Sequence, residues 1–261
     1  VNQLAGEIKR AMAAGSAFAA RVLFPPVCGG CRRLVSEPGT LCGTCWRGLR
    51  LIERPFCEVL GMPFAVNMGE GAVSAGAIAE PPPFARARAA VAYSGVARRL
   101  VQGLKYRDRT DLAPWMARWM VRAGGDVLVG ADMIVPVPLH RRRFFFRRFN
   151  QAAELARTVA RLAGVAFEPT LVVRARRTRQ QVGLGLRERE TNVRGAFRVP
   201  PAARPLVKGK RVLVIDDVYT TGATVSAMAR CLNRSGAAQV DILTFARVIG
   251  EDFRDGEDGP I

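Results

Sequence analysis

From about residue 85 onward, short apolar runs alternate with stretches whose apolar positions recur at helical spacing. The runs at 89–93, 133–137, 171–174, 211–215 and 240–246 predict strands, and the helical spacing predicts helices over 96–105, 113–123, 151–163 and 224–235. A continuous apolar run is buried on both faces, so strands of this kind interleaved with helices point to an α/β fold, a mainly parallel sheet flanked by helices. Upstream, Leu4, Ile8, Met12 and Phe18 lie near helical spacing in residues 1–20, and Pro25-Pro26 ends that helix. Residues 61–83 carry Gly, Ala and Pro81-Pro82-Pro83 with little periodicity, which reads as an irregular linker lying over the next domain. The expected organisation is a helix and cysteine module over 1–56, a linker over 57–84, an α/β domain over 85–250 and a flexible acidic tail over 251–261.

Composition narrows the class. At 49% hydrophobic and 24% charged residues, the 261-residue chain is too apolar for wholesale disorder and has none of the periodicity of collagen. The longest apolar stretches, such as 134–139, fall far short of the roughly 20 residues of a spanning helix. The N-terminal apolar tract is broken by Glu7, Lys9, Arg10 and Arg21 and lacks the pattern of a secretory signal, so a cytoplasmic location without a membrane span is expected. The net charge of +18 is concentrated: residues 141–198 hold 15 Arg against 4 Asp or Glu, a net +11. Such a segment suits a polyanion, either the pyrophosphate of a substrate or a nucleic-acid backbone, although a charge run is also the ordinary signature of a solvated face. Phe144-Phe145-Phe146 within it fits base stacking or core packing equally.

Five of six cysteines crowd into the first quarter of the chain. Cys28-Gly-Gly-Cys31 and Cys42-Gly-Thr-Cys45 are two CxxC pairs ten residues apart, a spacing that can bring four thiolates to the corners of a tetrahedron. One structural zinc on a four-cysteine ribbon is the reading, with reduced thiols or a redox pair as its alternatives. Four sulfur ligands leave no open position for water, which argues against a catalytic metal. Cys57 has no CxxC partner and Cys231 falls in an expected helix, so one reads as a leftover and the other as a core thiol.

The richest segment runs from Arg211 to Thr224. A central apolar strand ends in Asp216-Asp217, and Val218-Tyr219 leads into Thr220-Thr221-Gly222-Ala223-Thr224, which opens a helix. Ligands of open α/β sheets bind at the carboxyl ends of the strands. The loop offers backbone N–H groups, hydroxyls and a helix N-terminus to one phosphate, while the two carboxylates can accept hydrogen bonds from neighbouring hydroxyls. A phosphate at one end and a diol at the other describe a ribose 5-phosphate; the loop lacks the GxxxxGK(S/T) pattern of a P-loop. Capping of the following helix is the plainer alternative for the aspartates. His140, the single histidine, stands beside Arg141, Arg142 and Arg143, as a structural histidine or as a pyrophosphate contact. The polar connection around Gln180 has glycines at 183 and 185 and the arginines Arg176, Arg177, Arg179 and Arg187, which could close on an anion.

These residues carry a resemblance. The segment 211–224 resembles the 5-phosphoribosyl 1-pyrophosphate (PRPP) signature of type I phosphoribosyltransferases. Together with the cysteine module, Val135-Pro136-Val137-Pro138-Leu139-His140-Arg141, Phe149-Asn150-Gln151, Gln180, Arg189-Glu190, Asn192 and Gly195-Ala196-Phe197, the chain is similar over nearly its whole length to the ComF family (ComFC and GntX-like proteins). The resemblance implies a type I phosphoribosyltransferase fold behind a small N-terminal zinc ribbon with four cysteine ligands. It also implies PRPP binding with Mg²⁺, transfer or sensing of a 5-phosphoribosyl group with an unknown acceptor, and a link to competence and DNA uptake. Val218, Tyr219, Thr220, Thr221, Gly222, Ala223 and Thr224 would form the PRPP-binding segment, with Asp216 and Asp217 holding the ribose hydroxyls and Thr220 to Thr224 the 5-phosphate. Val137, Pro138, Leu139, His140 and Arg141 would form the pyrophosphate loop, and residues 176–192 a mobile loop. The alternative function is a non-catalytic single-stranded DNA-binding protein using the basic face and the ribbon, with competence or recombination proteins as partners. Relatives carry further cysteine pairs where this chain has Cys57 alone, so one zinc is expected and not two.

Overall fold

The protein is described by a computed structural model covering residues 25–139, 149–176 and 185–250. The helix expected over 1–20, the acidic tail, Phe144–Phe146 and the site residues His140, Arg141, Arg177, Arg179 and Gln180 lie outside the described residues, as does the side chain of Arg187. Seven strands are described: β1 (Arg86–Ala92), β2 (Met133–Pro136), β3 (Ala166–Phe167), β4 (Val173–Arg174), β5 (Phe197–Arg198), β6 (Arg211–Tyr219) and β7 (Gln239–Arg247). Five of them form one parallel sheet in the order β1-β7-β6-β2-β3.

Alternate residues of each strand serve opposite faces of this sheet. Ile134, Leu213, Ile215, Leu243 and Phe245 face a core shared with α3 (Gly95–Tyr106), α4 (Ala113–Ala123) and α6 (Gln151–Ala163). Val135, Val212, Val214 and Ile242 face a second core closed by α9 (Ala223–Arg234). Burial on both sides is why these strands read as unbroken apolar runs. The described helices also include the short α1 (Gly43–Arg47), α2 (Ala75–Ala79), α5 (Gly125–Leu128) and α8 (Arg204–Val207), and α7 (Leu186–Val193).

The topology creates a crevice. After β2 the chain passes through α6 and returns to β3 on one side; after β6 it passes through α9 and returns to β7 on the other. The neighbours β2 and β6 therefore send their connections apart, and a ligand crevice opens beyond their carboxyl ends.

Several elements depart from the sequence reading. The strand expected over 171–174 shrinks to β4, which pairs antiparallel with β5 outside the main sheet, because Leu171 and Val172 turn into the second core. β6 runs through both aspartates to Tyr219, since β7 pairs with it to its end. Part of the expected mobile loop is the helix α7, where the Glu188 carboxylate accepts from the Gly185 N–H (2.8 Å) and Val193 is buried. The free edge of β1 is covered from 49–60: Leu51 bridges Val91, the Ile52 N–H donates to the Ala90 carbonyl (3.0 Å), and the Ala87 N–H donates to the Val59 carbonyl (2.8 Å).

Candidate ligand cleft and metal cluster

The crevice beyond β2 and β6 is lined by Asp216, Asp217, Val218, Tyr219, Thr220, Gly222 and Thr224, with Val137 and Leu139 across from them. The segment singled out in the sequence is thus brought together with the first residues of the expected pyrophosphate loop. Thr221 and Ala223 are not among the lining residues; the Thr221 hydroxyl accepts from the Ala223 N–H (3.4 Å) and so braces the turn into α9. Gly222 has φ +79°, and a Cβ there would stand 2.3 Å from the Tyr219 hydroxyl, so both backbone and space demand glycine. Arg176 donates to the carbonyls of Asn192 (3.0 Å) and Arg194 (2.7 Å), holding the C-terminal end of α7; in this structure its guanidinium is engaged there.

Because they are neighbours on a strand, the two carboxylates point to opposite faces. Asp217 follows Ile215 and Leu213 toward the face of α3, where its Oδ1 lies 3.0 Å from Lys105 Nζ. Asp216 follows Val214 and Val212 toward the other face, where the positive charge of Arg174 acts on it. Burial, and then the charge of Asp217, push the Asp216 carboxyl up to about 7, against the pull of Lys105. The Lys105 ammonium moves the other way. Burial alone would lower it, but Asp217 and Asp216 outweigh burial and hold it above its ordinary value.

Lys105, Tyr106, Asn150, Gln151 and Arg174 complete the cleft. The sequence reading assigns none of them to the site. Phe149-Asn150-Gln151 does belong to the resemblance, and its role here is concrete: the Asn150 side chain donates to the Val137 carbonyl (3.1 Å) and accepts from the Ala152 N–H (3.1 Å), tying the turn after β2 to the start of α6.

A second centre lies in the N-terminal region. The sulfurs of Cys28, Cys31, Cys42 and Cys45 lie within 4.8 Å of one another. Zn–S bonds of about 2.3 Å place tetrahedral sulfurs roughly 3.8 Å apart, so the four fit one zinc with little movement. Burial opposes ionisation of Cys28, but backbone N–H groups outweigh it and bring the thiol down to about 6. Cys45 is pushed up to about 12 by burial and by its three sulfur neighbours, the crowding that a divalent cation relieves.

The segment read as an irregular linker repeats this ribbon. Shifted by 29 residues, Cys57 stands for Cys28: Phe56 bridges Pro63 as Val27 bridges Leu34, and Gly61 (φ 64°) matches Arg32 (φ 64°). The Ser74 N–H donates to Cys57 Sγ at 3.2 Å, and the Cys42 N–H donates to Cys28 Sγ at 3.2 Å; a short helix follows in each case. Leu60 stands at the position of Cys31, and, after about three extra residues, Ser74 and Ala77 stand at those of Cys42 and Cys45, so this half has the ribbon's shape with Cys57 as the one remaining metal donor. Arginines of the sheet hold it instead. Arg88, with its side chain 2% exposed, donates to the Glu58 carboxylate (2.8 Å) and the Glu58 carbonyl (2.8 Å), and Arg247 donates to the Leu60 carbonyl (2.5 Å).

Comparison with known proteins agrees with both halves. The double zinc ribbon domain family matches residues 19–78, and the phosphoribosyl transferase domain family matches residues 150–256. The chain is 32% identical over 235 residues to the DNA utilization protein YhgH of Salmonella typhi, across 86% of this chain and 98% of that protein. It is 28% identical over 153 residues to Competence protein F of Haemophilus influenzae, across 57% of this chain and 66% of that protein. Competence protein ComFC of Bacillus subtilis is 32% identical over 116 residues, 44% of each chain.

Proposed function

As the chain belongs to the ComF family, with a zinc ribbon joined to a phosphoribosyltransferase domain, we propose that the cleft beyond β2 and β6 binds PRPP together with Mg²⁺. The observation that carries this reading is the cleft's chemical polarity: two carboxylates at the end of β6, a hydroxyl-bearing turn with glycine at its tightest point, and the N-terminus of α9 immediately beyond. The carboxylates accept from the ribose hydroxyls, and the turn and helix N-terminus take the 5-phosphate. Mg²⁺ suits this site, since carboxylate and phosphate oxygens are the hard donors it prefers, and when bound it offsets charge that develops on a departing pyrophosphate. The chain's own residues bind and orient. The protein transfers the phosphoribosyl group to an acceptor or senses the metabolite. Calorimetric titration with PRPP, with and without Mg²⁺, tests the site, and pyrophosphate release across a panel of acceptors tests turnover. No heat of binding under either condition removes this reading.

A second reading has its own observation. Arg32, Arg99, Arg107 and Arg109 line a separate cleft with Gln102, between the Cys28 knuckle and α3. Such a groove suits a phosphodiester backbone, which accords with relatives named for DNA utilization and competence. Binding of single-stranded DNA that weakens steeply with salt is the expected result, and no affinity at low salt excludes it.

A further inference from the structure

We propose that Lys105 is a ligand-contacting residue, a tethered cation that bridges Asp217 and the anionic leaving-group end of the ligand; this rests on the PRPP reading above. Lys105 sits in the last turn of α3, anchored by the buried Leu104 next to it and by the buried Leu100 and Val101 about one turn earlier. Its Nζ reaches Asp217 Oδ1 at 3.0 Å, yet its side chain remains 24% exposed where that of Asp217 is only 8% exposed. The exposed part faces the cleft, which Lys105 lines in company with Val137 and Leu139 of the turn after β2. A purely structural ion pair has no need of that opening. An ammonium carries three N–H donors in tetrahedral array, and one toward Asp217 leaves two for another acceptor.

Charge gives the arrangement its purpose. Two adjacent carboxylates at the floor of a cleft repel a polyanion, and burial together with the charge of Asp217 raises the Asp216 carboxyl to about 7. Lys105 cancels the charge of Asp217 in place. Its remaining N–H donors are available to the cleft that Lys105 lines together with Val137 and Leu139. The two anionic ends of a phosphoribosyl pyrophosphate thereby meet different parts of the cleft: the 5-phosphate meets the turn into α9, and the pyrophosphate meets Lys105.

The test is calorimetric titration, in Mg²⁺, of wild type, K105M and K105R with three probes: PRPP, inorganic pyrophosphate and ribose 5-phosphate. A charge-assisted contact is worth about 1.5–3 kcal/mol, so K105M is expected to bind PRPP and pyrophosphate about 10- to 100-fold more weakly. Ribose 5-phosphate, which lacks the leaving group, should change by less than about 3-fold on this account, and K105R should recover most of the loss. Equal weakening toward all three probes, or no weakening toward any, overturns the proposal, the first by showing that Lys105 only arranges Asp217. If K105M does not fold, K105Q carries the same comparison. A wild type that binds neither PRPP nor ribose 5-phosphate overturns the reading of the cleft and this inference with it; wild-type binding with an unchanged folded K105M overturns the inference alone.

Discussion

The guanidinium of Arg247 lies over the ring of Tyr219, its Cζ 3.9 Å from the ring centroid. The two residues are partners in the register of β7 and β6, and Arg247 also donates to the Leu60 carbonyl of the second ribbon. Tyr219 in turn fills the space beneath Gly222. One contiguous stack thus joins the second ribbon to the turn that enters α9.

Replacing Arg247 by Leu should break that stack. The Leu60 carbonyl loses its donor and Tyr219 its cation, together worth about 1–3 kcal/mol of stability. Thermal melting should fall, and binding of ribose 5-phosphate should weaken because the turn at Gly222 loses its support. A variant that melts lower but binds unchanged would show that the ribbon stabilises the domain without reaching the cleft.

Gly222 itself is open to a sharper test. Ala at this position requires a residue with φ +79° and a Cβ 2.3 Å from the Tyr219 hydroxyl. Strain of the left-handed region alone costs about 1–2 kcal/mol, and the clash adds to it. Melting of G222A should fall accordingly, and phosphate binding should fall with it.

How far the sequence leads differs from element to element. The helices over 113–123 and 151–163 are found at the expected bounds, because their apolar period is clean and Gly124 and Gly164 stand directly beyond them. The sequence reads β6 too short, since Asp216 and Asp217 look like a strand's end; only the long-range pairing with β7 carries the strand through them. Lys105 gives no signal, for a lysine in the last turn of an amphipathic helix is ordinarily solvated, and its partner lies far along the chain. The second ribbon is hidden by loss of three donors. Its trace in the sequence is Cys57 with Leu60 at CxxC spacing, followed by Ser74 and Ala77 at the same spacing.

That repeat fixes an expected metal content. Elemental analysis should give one zinc per chain, held by Cys28, Cys31, Cys42 and Cys45, the one such cluster among the described residues. C28S or C31S should lose zinc and melt lower, since binding of a structural metal is folding free energy. C57S should keep its zinc, because Cys57 Sγ serves as acceptor for the N–H groups of Leu60 and Ser74, and a hydroxyl can do the same. Two zinc ions per chain would overturn the account of the second ribbon.

The two aspartates should respond oppositely to amidation, which separates their roles. Asp216 has its folded pKa raised to about 7 by burial and by Asp217. The folded state therefore keeps a proton that the unfolded chain releases near pH 4, so this group lowers stability as pH rises from about 4 to about 7 and no further above it. D216N should remove that decline and melt higher than wild type at pH 8. D217N instead leaves the partly buried Lys105 ammonium without its carboxylate partner and should melt lower, by about 1–3 kcal/mol of stability. Ligand binding should suffer in both, because hydroxyl donors favour the ionised carboxylate. In the wild type, PRPP affinity should rise from pH 6 to pH 8 as Asp216 ionises, and D216N should lose that rise. The double variant should fold and bind no PRPP; a folded double variant with wild-type affinity would remove the acidic pair from the site.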